Sequence, residues 1–555
     1  MDTRSKILPR GGQATQLRQK NNEWSNKYFA IAIGAMMVIG IVYHWINVLY
    51  FQKGREKNNP IISKVVTYQR KIYRFLSRKL AGVSVHRMIL YGLYWGINLI
   101  LALTNVDLSN LIYVAKRFGW ITVANFVLLV FLALRNTPLA PLSANSYEKL
   151  RPLHKVAGYT CIFSVWMHAI VYLSAWSKSG NLKSMLKTNQ IAGLVAGIAM
   201  LIIAVSTVPL VYRRYYEVFY LIHLIMFLLI LIMVAMHRPK FSTSTVIIII
   251  FTACLWFTDR LLRFLKICWN FPRNYATLTA LPDGAIRVRL SRPVRAVAGS
   301  HAFLWIPAIR LIETHPFTML TTDPPEFVIK VHDGFTRDLW KYASGEHKKE
   351  QKLRCSIDGG YGQVLNFKQF DTVILIAGGS GASFTFAIAL DLIRRKSDVK
   401  RIDFIWAVRS QDILTWYDNE LRELQSDPRI NFHTYITRYA MAIDEVTGIP
   451  TPSSPDCSDS DPSSPTAETT VYDIEKGAAP ETTKEKLPFS MNIHQGRPNI
   501  SDLIEATISC TDPKDRIAVG VCGPGDLVDR TREGVSRDVY DNGPSITLYS
   551  EEFRW

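Results

Sequence analysis

Up to about residue 265 the chain is built from long apolar runs; beyond it the runs are short, alternating and punctuated by glycine. Seven apolar segments stand out, at about 28–51, 88–104, 118–134, 154–176, 190–212, 216–236 and 243–264. Each is long enough to cross a hydrocarbon core about 30 Å thick as a helix. The first, FAIAIGAMMVIGIVYHWINVLYF, is too long for a cleaved signal peptide and lacks a small-residue cleavage site, so it is expected to be a signal anchor. The loop behind it carries nine Lys and Arg between Lys53 and Lys79, which places it on the cytoplasmic side. With seven spans the N-terminus lies outside and everything after Trp269 lies inside.

Two of the runs carry paired histidines. RPLHKVAGYTCIFSVWMHAIVYL holds His154 and His168, and FYLIHLIMFLLILIMVAMHRPK holds His223 and His237. Both pairs are fourteen positions apart, which is about 21 Å along a helix and within about 40° of one face. Ionisable or strongly polar side chains inside a bilayer are costly and point to function. Two helices with matched spacing can meet at two levels and build two bis-imidazole sites stacked across the membrane. Two neutral imidazoles per haem iron leave no open position, which suits electron transfer rather than oxygen binding. His154 and His223 fall at the inner level, and His168 and His237 at the outer one.

Beyond residue 270 the pattern changes period. YATLTALPDGAIRVRLS and HAFLWIPAI alternate as the strands of a small antiparallel barrel. THPFTML follows, with His315, Pro316, Phe317 and Thr318. Next, EFVIKV leads through Lys330 into HDGFTRDLWKYA, a glycine turn opening a helix at Gly334, Phe335 and Thr336, where free N–H groups suit phosphate. DTVILIAGGSGASFTFAIALDLIRR reads as a buried strand, a turn at Gly378, Gly379, Ser380 and Gly381, and an apolar helix. That opens a parallel α/β dinucleotide fold, although the turn is not a full G-x-G-x-x-G. The next strand, IDFIWAVRS, ends at Arg409 and Ser410, where an arginine meets a ribose 2′-phosphate and implies NADP. A later strand, RIAVGVCGPGDL, carries Cys522, Gly523, Pro524 and Gly525, and the chain closes on SEEFRW with Trp555. The Ser-, Pro- and acid-rich stretch at about 441–490 cannot bury a core and is expected to be a disordered insertion.

Composition sharpens this division. The 555 residues are 48% hydrophobic with formal net charge +19, and the mean hydropathy is +0.08. The basic residues cluster in loops between spans with no groove-reading motif, so nucleic acid is not an expected partner. None of the seven cysteines falls in an expected outer loop or forms a CxxC, which argues against disulfides and a thiolate zinc site. His44 and His86 have no matched partner and read as structural, and His301 and His433 as half-buried strand positions. The outer loop SKSGNLKSMLKTN, with Lys178, Lys183 and Lys187, and the pair Arg238 and Lys240 offer a positive rim that would steer anions.

Taken in order, the histidine pairs, HPFT, DGFT, AGGSGAS, CGPG and EEFRW resemble the ferric reductase family of fungal plasma membranes, over roughly residues 86–555. The resemblance implies a helical membrane domain with a bis-haem core. A cytosolic ferredoxin-reductase-like module follows, made of an antiparallel β-barrel for FAD and a parallel-sheet NAD(P) domain. Expected boundaries are 1–27 for a tail, 28–51 for the anchor, 52–85 for the basic loop, 86–268 for the haem domain, 269–366 for FAD and 367–555 for NADP. It further implies that His154, His168, His223 and His237 ligate two b-type haems. His315 to Thr318 and Gly334 to Thr336 would bind FAD, Gly378 to Gly381 and Cys522 to Gly525 would bind NADPH, and Trp555 would shield the flavin. Cys522 and Trp555 are the expected catalytic positions. One departure stands out: the family's GPYG is Gly359, Gly360, Tyr361, Gly362 here. The implied activity is reduction of extracellular ferric chelates, and of cupric ions, in the plasma or vacuolar membrane, with an iron permease or multicopper oxidase in the same pathway. The alternative is an NADPH oxidase reducing dioxygen. Equal thirteen-residue gaps in both histidine pairs and a terminal Trp rather than Phe favour the reductase.

Overall fold

Helix follows apolar run throughout the first half of the chain in this computed structural model. The structure describes residues 10–52, 82–238, 243–345, 352–395, 397–437, 492–537 and 543–551, with short pieces between 68 and 80. Two compact units emerge, Met1–Leu265 and Lys266–Trp555.

The first unit is built on α1 (Arg10–Ile46), α2 (Val85–Leu103), α3 (Leu111–Ala133), α4 (Tyr147–Lys178), α5 (Thr188–Ser206), α6 (Tyr216–His237) and α7 (Thr243–Asn270). Helix α1 starts well before the apolar run, so residues 10–27 of the expected tail are helical. Among the described residues six helices, not seven, are long and apolar enough to cross a membrane. The segment expected at 88–104 forms α2 but falls outside that set, because its first turn carries His86 and Arg87 and polar residues follow further along. Tyr94 and Asn98 point inward, where Tyr94 Oη donates to Asn125 Oδ1 at 2.6 Å and Asn125 Nδ2 donates to Asn98 Oδ1 at 2.8 Å. The other face of α2, with Leu93, Leu99, Ile100 and Leu103, is exposed and apolar. Satisfied polar groups on the bundle side lower the mean hydropathy without making the lipid side polar. Helix α3 is the centre of the bundle, half buried along its apolar window where that of α6 is 6% buried.

The second unit begins with two antiparallel sheets instead of one continuous ring. Strands β1 (Tyr275–Leu281), β2 (Ala285–Leu290), β3 (His301–Trp305), β4 (His315–Thr318), β5 (Thr321–Thr322), β6 (Pro325–Lys330), β7 (Leu353–Arg354) and β8 (Ser356–Tyr361) form sheets ordered β5-β6-β2-β1-β7 and β8-β3-β4. Both sheets and helix α8 (Phe335–Ser344) enclose one core that includes Ile286, Val288, Leu304, Phe327, Phe335 and Ile357.

Six parallel strands follow: β9 (Thr372–Gly378), β10 (Arg401–Val408), β11 (Ile430–Ile436), β12 (Asn492–Gln495), β13 (Arg516–Cys522) and β14 (Ser545–Glu551). Helices α9 (Ala382–Arg394), α10 (Asp418–Gln425), α11 (Ile500–Ser509) and α12 (Gly525–Arg537) accompany them. The order is β12-β11-β10-β9-β13-β14. Every residue of β9 is buried, as a central parallel strand covered on both faces requires. Strand order reverses between β9 and β13, and the crevice at such a switch point is where open α/β sheets bind ligands. The insertion at about 441–490, which separates β11 from β12 in sequence, lies outside the described residues.

One buried ion pair joins the two parts of this unit. Arg287 on β2 donates to both carboxylate oxygens of Glu420 on α10, each at 2.8 Å, to Glu326 on β6, and to the Trp416 carbonyl at 2.7 Å. Burial alone would depress the Arg287 pKa, but the bonds and charges of Glu420 and Glu326 outweigh it and hold the pKa above its ordinary value.

Candidate redox sites

The four membrane histidines meet in the two expected pairs. The His154 and His223 ring centres are 6.4 Å apart, and those of His168 and His237 are 5.9 Å apart. An iron bonded to two imidazole nitrogens at about 2.0–2.1 Å, with about 1.1 Å from each nitrogen to its ring centre, sets the centres about 6.3 Å apart. Both separations lie close to that value.

Hydrogen bonding orients the rings. Nδ1 of His168 lies 2.7 Å from the Ala115 carbonyl, Nδ1 of His237 2.7 Å from that of Asn189, and Nδ1 of His154 3.0 Å from that of Leu129. A carbonyl only accepts, so Nδ1 donates and Nε2 keeps its lone pair, the tautomer a metal ligand needs. His223 differs, its Nδ1 being buried without a partner. At the outer pair the same device recurs on two helices. Four residues after each accepting carbonyl stands a glycine, Gly119 after Ala115 and Gly193 after Asn189. A Cβ on Gly119 would sit 2.9 Å from the His168 ring, and one on Gly193 2.5 Å from that of His237. The imidazoles thus occupy the space where side chains would stand. Sequence reasoning missed both glycines; a glycine inside an apolar helix, where it costs about 1 kcal/mol, was the available signal.

A cavity of about 800 Å³ opens beside His168 and His237. Its walls include Thr15 of α1, Asn105 after α2, Tyr113 of α3, Trp176 of α4, Asn189 of α5 and Thr245 of α7, so these helix ends lie at one level. Of the expected positive rim only Arg238 lines it; Lys178, Lys183 and Lys187 are exposed elsewhere and Lys240 lies outside the described residues. The cations that do line it, Arg18, Lys116 and Arg117, were not foreseen.

In the second unit His315 stacks on Phe335 at 4.5 Å between ring centres, and Phe317 lies near-parallel to the same ring at 6.3 Å. Phe335 is 2% exposed and belongs to the core, so only its backbone can face a phosphate. Gly334, at φ +79°, turns the chain into α8, and the Thr336 hydroxyl closes that turn by accepting from His332 N–H and donating to the His332 carbonyl. Within this first turn the Arg337 amide donates to the Gly334 carbonyl at 3.1 Å, while those of Phe335 and Thr336 have no earlier carbonyl of their own helix to bond. Lys330 ends β6 opposite Ala285. His301, expected to be half-buried, is 4% exposed and neighbours Tyr361, whose hydroxyl donates to buried Asp358 at 2.6 Å.

At the switch point the two glycine turns touch. A Cβ on Gly378 would meet Pro524 at 2.7 Å, and one on Gly381 the Cys522 carbonyl at 2.4 Å. Gly379, at φ +55°, has open space where a side chain would be, and Ser380 is exposed beside it. A dinucleotide backbone can approach such a bare surface closely. Arg409 is exposed just past β10, and Ser410 Oγ is buried without a partner. Gly523, Pro524 and Gly525 lead into α12. Cys522 is fully buried, and that burial, with Glu551 nearby, raises its thiol pKa well above the usual value, so it is a neutral thiol here. Trp555 lies outside the described residues; β14 ends at Glu551, paired with Cys522.

A multi-pass helical unit joined to antiparallel sheets and a parallel dinucleotide fold defines a membrane oxidoreductase fed by a nicotinamide nucleotide. Residues 118–234 match the model of the ferric reductase like transmembrane component, 270–365 that of an FAD-binding domain, and 370–536 that of the ferric reductase NAD binding domain. The chain belongs to the ferric reductase family of fungal type, and it carries an FAD-binding domain and a nicotinamide dinucleotide-binding domain. Ferric/cupric reductase transmembrane component 2 of Schizosaccharomyces pombe is 27% identical over 389 residues, 59% of this chain and 67% of that protein. The Saccharomyces cerevisiae protein of the same description is 26% identical over 519 residues, 88% of this chain and 68% of that one. Ferric reductase transmembrane component 5 of Saccharomyces cerevisiae is 24% identical over 556 residues, 94% of this chain and 75% of that protein.

Proposed function

We propose that the chain is a transmembrane ferric-chelate reductase, passing electrons from cytosolic NADPH through FAD and two b-type haems to Fe(III) chelates outside, with Cu(II) as a further acceptor. The observation that carries this reading is the pair of histidine couples, each spaced for an iron, in a chain that also holds the nucleotide module. Its parts are the haem domain at 86–268, the FAD domain at 269–366 and the NADP domain at 367–555. In this reading α2 is a seventh span, since its 19 residues reach about 28 Å and the cavity collects alternate helix ends at one level.

When bound, the flavin would supply a two-electron acceptor for a single hydride that can give up its electrons one at a time, and the haems would supply one-electron carriers. The chain's own residues do the positioning. Helices α4 and α6 hold two ligand levels about 21 Å apart along each helix. Nδ1–H bonds to backbone carbonyls fix three rings and raise the basicity of their free nitrogens. His315, Phe317 and the first turn of α8 face the flavin nucleotide, with Lys330 adding charge. Gly378 to Gly381 and Gly523 to Gly525 admit the nicotinamide nucleotide at the switch point, while Arg409 and Ser410 meet its 2′-phosphate. Cys522 and Trp555 border the nicotinamide, Cys522 as a neutral thiol. The Arg287–Glu420 pair keeps the two nucleotide-binding parts in one arrangement, so the donor and acceptor rings meet reproducibly.

The test is a reduced-minus-oxidised spectrum of the purified protein and four alanine variants. Two b-type haems are expected in the parent chain. His154→Ala or His223→Ala should remove the inner haem and stop the chain at its cytosolic end. His168→Ala or His237→Ala should leave flavin reduction intact and stop delivery outside. Four variants with full two-haem spectra would contradict the assignment.

A further inference from the structure

The cavity beside His168 and His237 carries four cations in its wall, Arg18, Lys116, Arg117 and Arg238, against one carboxylate, Asp107. Arg18 is already committed: it bonds Asp107 at 2.8 Å and Tyr113 Oη at 2.9 Å, tying the first turns of α1 to the start of α3 and closing that side of the cavity. Arg117 is different. Its side chain is among the most buried charges of the unit, at 3% exposure. Its terminal nitrogens donate to the carbonyls of Leu101 at 3.1 Å and Asn105 at 2.9 Å, yet Nε is buried with no partner. Two neutral carbonyls solvate a guanidinium but do not neutralise it, and a buried cation without an anion is costly. Lys116, one residue back on α3, is exposed and lines the same cavity.

We infer that Arg117 and Lys116 form a carboxylate-binding site beside the His168–His237 pair, walled by the N-terminal turns of α1, which lie outside the matched transmembrane segment 118–234. The inference rests on reading that pair as the outer haem site. Two sources bring carboxylates to this level: the haem's own carboxylate arms, and an anionic ferric chelate such as citrate. Either would supply the counter-charge that Arg117 lacks, and a carboxylate suits the planar donor edge of a guanidinium.

The experiment uses the full-length, haem-loaded protein in detergent, with Arg117→Gln, Arg117→Lys, Lys116→Gln and Arg18→Gln. Two quantities are read: the midpoint potential of the outer haem, and the Kd of gallium(III) citrate, a redox-inert stand-in for the ferric chelate. If the chelate is the ligand, R117Q and K116Q weaken gallium citrate about tenfold, the loss of one charge-assisted bond, whatever the potential does. R18Q, which loosens the α1 wall, weakens it too. If the haem carboxylates are the ligand, R117Q lowers the potential, since removing a cation favours the more positive oxidised form, and citrate binding stays put. R117K keeps the charge and should recover part of either effect, and K116Q decides the matter where R117Q fails to accumulate. No change in either quantity overturns the site. A parent protein lacking haem overturns instead the reading on which the site rests.

Discussion

At the scale of single residues, the account turns on side chains that are absent as much as on those present. Gly193→Ala places a Cβ 2.5 Å from the His237 ring. Alanine is the better helix former by about 1 kcal/mol, so the variant should accumulate normally. The imidazole must nevertheless move, and the spectrum should lose the outer haem while keeping the inner one. A second residue prediction concerns Gly360, where the family's pattern has proline. Its φ is +52°, and proline is confined to about −65°. Gly360→Pro should therefore weaken FAD retention, and even Gly360→Ala should cost about 1–2 kcal/mol, read from thermal release of flavin fluorescence. The histidine ligands were legible because their spacing is a property of one helix. Gly119 and Gly193 were not, since each is explained by a ring arriving from 53 and 48 positions beyond its carbonyl partner. Nor was the neutral state of Cys522, which depends on a core assembled from several strands.

Elements carry the next level. The period-two and glycine-punctuated stretches announced nearly every strand of the second unit, but how the antiparallel strands divide into two sheets depends on pairings no local pattern encodes. Arg287 illustrates the same point: on sequence it is one polar residue of an alternating strand, and its partner Glu420 lies 133 positions away. Glu420→Ala should leave Glu326 as the carboxylate still bonded to Arg287, remove the bidentate link to α10 and cost about 1.5–3 kcal/mol, seen as a lower melting temperature of the nucleotide module. The edge of the parallel sheet should respond to pH. His433 on β11 and His494 on β12 lie 3.4 Å apart, nitrogen to nitrogen, with Tyr435, Asp403 and Arg401 nearby. Burial first, and for His433 also its neighbour's charge, lowers both pKa values below the usual 6.5. The unfolded edge therefore takes up protons before the folded one, and stability is lost as pH falls below 6.5. Protection factors of the amides at residues 492–495, taken relative to the intrinsic exchange rate at each pH, should fall between pH 7 and 5.5, and His433→Gln with His494→Gln should flatten that dependence. Strands β11 and β12 are parallel, so the chain between them needs a crossover of about a dozen residues. Deleting Thr451 to Lys486 leaves residues 438–450 and 487–491 for that purpose, and FAD content and NADPH-driven electron transfer should persist.

For the whole molecule, hydropathy along the chain located the helices well and misjudged one of them. The span at α2 is an ordinary apolar run over 88–104, yet the helix begins at Val85 and takes in His86 and Arg87, and Tyr94 and Asn98 serve the bundle interior. The start of α1 has the composition of a tail because its polar residues, among them Arg18 and Asn22, line a cavity that only the folded bundle creates. If seven helices alternate across the membrane, single cysteines at 105–110 should react with an impermeant thiol reagent added outside, and cysteines at 207–215 should react only after permeabilisation. The central claim is that electrons from NADPH on one side reach a ferric chelate on the other without passing through superoxide. It is tested most directly in sealed vesicles holding the full-length protein, with NADPH on the side of the nucleotide module and ferric citrate on the opposite side. The account predicts Fe(II) formation that depends on NADPH and is unaffected by superoxide dismutase on the citrate side. Fe(II) formation abolished by the dismutase, or absent while oxygen is consumed, would contradict it.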